Sequence, residues 1–154
     1  VGRAESAKIG LDGCGDVDIE QVEDEAEISV SHDAVMRIYD VGDLVAVLAG
    51  EGSITAGIVR DALTVSIAGP GRFNAARADG PTSFVIQGPG EATVRDGDAE
   101  ELSVVINGPG RVTHNGTAES LDVVIVGGGA VRVQDVEGAI SRRIIGGGDV
   151  FIGR

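Results

Sequence analysis

Four stretches of this chain are near copies of one another: LTVSIAGPG at residues 63–71, TSFVIQGPG at 82–90, LSVVINGPG at 102–110 and LDVVIVGGG at 121–129. In each stretch, mostly apolar residues occupy every second position and a Gly-x-Gly triplet follows. An alternation of period two is typical of a β-strand, because successive side chains point to opposite faces. The copies begin 19 or 20 residues apart. A period of this size indicates a repeat architecture built from stacked strands.

The repeat extends over the whole chain. Triplets, one of them the degenerate His32-Asp33-Ala34, begin at positions 13, 32, 50, 69, 88, 108, 127 and 146. A second alternating stretch follows each triplet. We call the residues at one equivalent position of successive repeats a file, and one file of this stretch is apolar: Val17, Met36, Ile54, Phe73, Ala92, Val112, Val131 and Val150. Residues 1–12 fit the second half of a coil. We therefore interpret residues 1–154 as a single domain that starts with a partial coil.

A unit of 19 residues cannot close a core of its own, but stacked units can bury equivalent side chains on one another. The sequence therefore predicts an all-β, single-stranded parallel β-helix (β-solenoid) of about 7–8 coils. We expect the outer glycines of the triplets to form structural corners, because glycine adopts backbone conformations that a Cβ forbids. These are Gly13, Gly15, Gly50, Gly52, Gly69, Gly71, Gly88, Gly90, Gly108, Gly110, Gly127, Gly129, Gly146 and Gly148.

The repeated unit resembles the putative auto-transporter adhesin, head GIN domain family, whose units typically read Gly-Ser-Gly-Asp-Val. The best matches are Gly13-Cys14-Gly15-Asp16-Val17 and Gly146-Gly147-Gly148-Asp149-Val150. The central units differ, with Pro70, Pro89 and Pro109 at the Ser position and Arg72, Glu91 and Arg111 at the Asp position. The resemblance implies a right-handed β-helix and a location in the bacterial cell envelope or outside the cell.

Composition limits the partners of the chain. With 25 acidic and 12 basic residues, the net charge is -13, which repels phosphate backbones, so we expect no nucleic acid partner. No apolar run approaches the roughly 18 residues that span a bilayer, so we expect no direct membrane insertion by this segment. Because the chain begins with Val1 rather than Met, we expect that a leader or tag has been removed or that the chain is a fragment.

Residues capable of catalysis are few. The repeat places Cys14 and Asp16 one coil from His32 and Asp33, and a thiol beside an imidazole can act as a nucleophile or a zinc ligand. A corner that merely contains a Cys is the preferred interpretation. His114 falls on an inward file, where a core histidine is expected. No connection is long enough to wall a cleft, so the sequence predicts no enzyme, no metal and no cofactor.

One outward file of the strands before the triplets is apolar where a solvated sheet would be polar. A contiguous exposed apolar strip is usually an interaction surface. We therefore predict self-association, or contact with another envelope protein or a glycan, in an adhesion or scaffold role. The alternative is a fibre or cytoskeletal subunit that polymerises head to tail through its uncapped ends. The candidate interface residues are Val47, Val85, Val105, Val124, Val126 and Ile145.

Overall fold

The computed structural model describes residues 3–153 of the chain. Every regular element in that range is a β-strand, and all strand pairings are parallel. The strands stack in about eight coils, each of which contributes one strand to each of two sheets. The prediction of a parallel β-solenoid is confirmed.

The two sheets are named here by their place in the repeat. The first sheet follows the triplets and contains β1 (Arg3–Ala4), β5 (Ser53–Val59), β7 (Arg72–Ala78), β9 (Glu91–Val94), β12 (Ala130–Val136) and β14 (Asp149–Ile152). The second sheet precedes the triplets and contains β2 (Ala7–Asp12), β6 (Leu63–Ala68), β8 (Thr82–Gln87), β10 (Asp98–Asn107) and β13 (Ile140–Ile145). Three long strands turn the corner and serve both sheets, namely β3 (Asp16–Ser31), β4 (Val35–Ala49) and β11 (Arg111–Val126).

Equivalent residues of successive repeats are direct partners in the ladder. Leu63 pairs with Leu44 on one side and Thr82 on the other, and the row continues through Leu102 and Leu121. The vertical alignment that the 19-residue period predicts is therefore present. Because neighbouring strands lie about 4.8 Å apart, each inward side chain packs directly on its equivalents above and below.

The core lies between the inner faces of the two sheets. Phe73 of the first sheet and Phe84 of the second are both buried, and their ring centroids lie 6.4 Å apart. Most other buried residues are aliphatic and belong to the predicted inward files. Each coil has two small inner faces and the core has few aromatic side chains. The stability of the fold therefore depends on many similar aliphatic contacts between coils rather than on a few large side chains.

The two glycines of each triplet have different physical roles. The first has a positive φ, between 99° and 113° in all seven glycine triplets, and His32 keeps a φ of 65° in the degenerate copy. The third does not, but in the triplets from Gly50 onward a Cβ built there would lie 2.5–3.1 Å from atoms of an adjacent coil, whereas Gly15 has open space. At Gly129 it would lie 2.6 Å from Ile106 Cγ2, whereas the middle residue Gly128 has open space. The corner therefore requires glycine for backbone conformation at one position and for close packing at the other.

One polar ring interrupts the aliphatic core. His114 is fully buried between Val94 and Val133 of the adjacent coils. Its Nδ1 accepts a hydrogen bond from the backbone N–H of Gly116 at 3.3 Å, which places the proton of the neutral ring on Nε2, where it has no partner. Burial lowers the pKa of His114, and the carboxylates of Asp96 and Asp98 only partly oppose this. The ring is therefore a neutral core residue, as expected from its file.

Alanine substitutions at the three positions of one triplet should distinguish the glycine that is needed for its positive φ from the glycine that is needed for close packing. Gly129→Ala should lower the free energy of unfolding by about 1–3 kcal/mol, because the new methyl group overpacks the corner against Ile106. Gly127→Ala should cost about 1–2 kcal/mol through its positive φ. Gly128→Ala should be neutral, because its Cβ meets nothing within 4 Å. Urea unfolding of the three variants measures this order, and equal losses at all three positions would contradict it.

His114 should make the fold acid-sensitive. Its pKa is lowered in the folded state, so below about pH 6.5 the unfolded chain binds the proton more readily than the folded chain and the free energy of unfolding falls. Between about pH 7.5 and pH 5 this loss amounts to at most about 2 kcal/mol. His114→Val should remove it, whereas His32→Asn, which keeps His114, should not. Urea titrations at the two pH values test this, and an unchanged pH dependence in His114→Val would refute it.

Candidate interaction surfaces

The predicted strip lies on the outer face of the second sheet. Val47, Ser66, Val85, Val105 and Val124 are consecutive ladder partners and form one file, which continues to Arg143. The remaining two candidates, Val126 and Ile145, are partners in the adjacent file. Ser66 interrupts the strip, so the apolar file is continuous only from Val85 to Val124.

The side chains of the strip are accessible. Val47, Val105 and Val126 are each 40% exposed, and Ile145 is 57% exposed. Val85 and Val124 are half-buried by their neighbours in the face. Short side chains, several of them β-branched, occupy most outward positions and make this surface flat and regular.

On four successive strands the positions beside the strip carry no charge, and the first charged neighbours on this face are Asp122, Glu27 and Arg143. The three central outward positions of each strand from Val45 to Asn107 hold only Val, Ala, Ser, Thr, Gln or Asn, in a protein with 25 acidic and 12 basic residues. We call these positions, together with Val124 and Val126, the neutral zone. It comprises Val45, Val47, Ala49, Thr64, Ser66, Ala68, Ser83, Val85, Gln87, Ser103, Val105, Asn107, Val124 and Val126.

The outer face of the first sheet has the opposite character. It carries Arg37, Arg72, Glu91, Arg111 and Arg132 at exposed or half-buried positions. The contrast between the two faces indicates that the absence of charge on the second sheet is a property of that face and not of the fold.

Some basic side chains of the solenoid form ion pairs with acidic residues, and others form none. Arg60, for example, contacts Asp40 at 3.0 Å and donates to the carbonyls of Val22 and Glu23, so it links neighbouring coils. Arg77 contacts Asp79 at 3.2 Å, and this hydrogen bond raises the pKa of Arg77. By contrast, five arginines make no ion pair within residues 5–153. They are Arg95, Arg111, Arg132, Arg142 and Arg143.

Two of the unpaired arginines share a cleft. Arg111 and Arg132 line a depression of about 330 Å³ on the outer face of the first sheet, together with Thr113 and Phe151. The sequence of any single strand does not predict this group, because each strand contributes only one or two of these four residues. Alignment of the repeats could have found it, because Thr113, Arg132 and Phe151 occupy the same outward file in three successive coils.

The side chains around Cys14 lie at the surface. Cys14 is exposed, and His32 Nδ1 lies 3.1 Å from Asp12 Oδ1, with both side chains largely in solvent. No hydrogen bond joins the thiol to the imidazole among the described contacts. Within residues 3–153, no three His, Cys, Asp or Glu side chains converge as metal ligands would.

Comparison with known proteins supports the family resemblance. The family model described as "Putative auto-transporter adhesin, head GIN domain" matches residues 55–153. No curated protein and no solved structure gives a significant match. In the described part of the chain, no helix is long and apolar enough to span a bilayer. Because the family match covers more than half of the chain, the protein belongs to the putative auto-transporter adhesin, head GIN domain family.

Proposed function

We propose that this protein is a non-catalytic adhesion or scaffold module of the bacterial cell envelope or exterior that self-associates through the neutral zone. The observation that carries this proposal is the uncharged, flat face that four successive strands of the second sheet present in a chain with a net charge of -13. A solvated face of a strongly acidic protein has no reason to exclude charge, whereas an interface core typically does.

Family membership supports the adhesive part of the proposal. The family is described as an auto-transporter adhesin, which favours a binding role and an envelope or extracellular location. A second copy is the simplest occupant of the neutral zone. A glycan would be expected to use aromatic platforms, and the neutral zone contains no aromatic residue.

The order of residues along the strip is compatible with a two-fold axis. A two-fold axis that lies in the interface plane over Val85, parallel to the strands, would stack Val85 on its own copy and Val47 on Val124 of the second copy. One rung further out, Arg143 would lie near Ser29 and its exposed neighbour Glu27. Coils running in the same direction would instead bring Arg143 against Arg143. Charge complementarity therefore favours the antiparallel dimer.

The area of the face indicates a weak dimer. Five strands about 4.8 Å apart, each about 20 Å long, give the neutral zone about 480 Å² on each copy. A face-to-face pair would bury about 1,000 Å² in the neutral zone and about 1,500 Å² over the whole face. Stable interfaces begin at about 1,200 Å², so we expect reversible, concentration-dependent association.

Charges placed in the strip should dissociate the dimer. The variant with Val85→Lys, Val105→Lys and Val124→Lys should sediment as a monomer of 15.6 kDa at concentrations where the unmodified chain approaches twice that mass. The reason is that six lysines would have to be desolvated in one interface. Analytical ultracentrifugation over a concentration series measures the masses.

The matched control puts the same three changes on the opposite face. Thr55→Lys, Asn74→Lys and Thr93→Lys also lie in three successive coils and add the same charge to the first sheet. This control should associate as the unmodified chain does. A monomeric unmodified chain at every concentration would refute the proposal, and masses that grow beyond the dimer would favour the head-to-tail fibre.

A charge exchange should report the orientation of the two copies. Arg143→Glu alone and Glu27→Arg alone should each weaken dimerisation by about threefold to tenfold, because each places like charges at the rim. The double variant should recover the dissociation constant of the unmodified chain. Lys8 contacts Glu27 at 3.8 Å, and this contact is lost equally in Glu27→Arg and in the double variant, so comparing those two isolates the effect of residue 143. Two additive losses with no recovery would contradict the antiparallel arrangement.

A further inference from the structure

We propose that the cleft between Arg111, Arg132 and Phe151 binds a carboxylate-bearing sugar of an acidic glycan. The cleft lies on the outer face of the first sheet, and the core separates this face from the neutral zone. The site therefore stays accessible in the proposed dimer, and its assignment does not depend on that dimer.

The two arginines supply an unneutralised binding site for an anion. Arg111 and Arg132 are exposed and make no ion pair among the described side chains, although most basic residues of the preceding coils do. A guanidinium binds a carboxylate through two parallel N–H···O hydrogen bonds, and it is less strongly hydrated than an ammonium group. Both side chains line the same cleft, so one carboxylate can contact both.

Phe151 adds an apolar platform beside the charge. It is 57% exposed, whereas Phe73 and Phe84 are buried in the core. Its file carries polar residues in other coils, including Thr93, Thr113 and Arg132. An exposed aromatic ring next to cations can cover the C–H face of a pyranose while the arginines bind its carboxylate. A free inorganic anion would not use this ring.

Polar side chains extend the cleft along the same face. A second depression of about 220 Å³ shares Arg132 with the first and is lined by Asn115, Gln134 and Gly153. The amides of Asn115 and Gln134 and the hydroxyl of Thr113 provide both donors and acceptors for sugar hydroxyls. The joined depressions fit a short oligosaccharide better than a single residue.

The neighbouring acids limit the charge of the ligand. Glu91 is the ladder partner of Arg111 and contacts Arg72 at 3.9 Å, and Asp149 lies at the next rung beyond Ala130. With these carboxylates at the rim and a net charge of -13, a densely charged polyanion would be repelled. One carboxylate per sugar, as in a uronic acid, is the chemistry that the site accommodates.

Titration of the isotopically labelled protein with trigalacturonic acid, followed by NMR, tests this assignment. Amide shifts should concentrate at residues 111–115, 130–134 and 149–153. Arg132→Gln and Arg111→Gln should each weaken binding by about tenfold or more, because each removes a charged hydrogen-bonding partner. Phe151→Ser should weaken it by about fivefold through loss of the stacking surface. Arg143→Gln, an unpaired exposed arginine on the second sheet, is the matched control and should bind as the unmodified chain does.

Three ligands separate the sources of affinity. The methyl ester of trigalacturonic acid, which has the same rings without the charge, should bind at least about tenfold more weakly than the acid. Triglutamate, which has the charge without the rings, should also bind more weakly than the acid. Equal binding of either ligand, or an equal loss in Arg143→Gln and Arg132→Gln, would overturn the assignment. The triple lysine variant of the strip should retain binding, so failure of the dimer and failure of this site are distinguishable.

Discussion

The structure depends on one constraint: each coil must bury its inward side chains beneath the equivalent side chains of the next coil. Ladder hydrogen bonds hold the strands about 4.8 Å apart, and at that spacing an inward residue contacts its own counterpart before anything else. The rows through Leu44, Leu63, Leu102 and Leu121 are the result. A one-residue change within a strand would turn its apolar file to solvent, whereas the differences in coil length are absorbed at the bend between the two sheets, as at the register shift between Val22 and Glu25.

The conformation of the chain at each triplet allows the next coil to stack in this register. Each triplet reverses the chain within three residues, and the next coil stacks directly on it. The first glycine adopts a left-handed φ, and the third leaves room for an isoleucine or valine methyl group and a carbonyl of an adjacent coil. The degenerate copy at His32 shows that conformation can be retained without glycine, since its φ of 65° lies in the region that L-residues occasionally reach. The third position of this copy is Ala34, whose small side chain is buried in the core, so this corner also accommodates a Cβ at the third position.

The fixed core also explains how the two outer faces can differ in chemistry. Outward residues do not affect the core, so each face can change independently of the other. The neutral zone of the second sheet carries no charge, whereas the outer face of the first sheet is charged and has unpaired arginines beside an exposed Phe151. Both surfaces are files of residues 19 or 20 positions apart, which only the stacking of coils brings together.

The sequence by itself determined the fold class, the position of the corners and the inward files, because these follow from a period that any aligned pair of repeats displays. It also determined the outward strip from Val47 to Val124, which required only strand alternation. The tertiary structure alone decided which charges are already neutralised, since an ion pair such as Arg60–Asp40 depends on side-chain reach between coils. It likewise decided that Arg111, Arg132 and Phe151 enclose one cleft and that the Nε2 of His114 lacks a partner. Periodicity specifies which residues share a file, but distances and unsatisfied groups depend on how the side chains of neighbouring files pack.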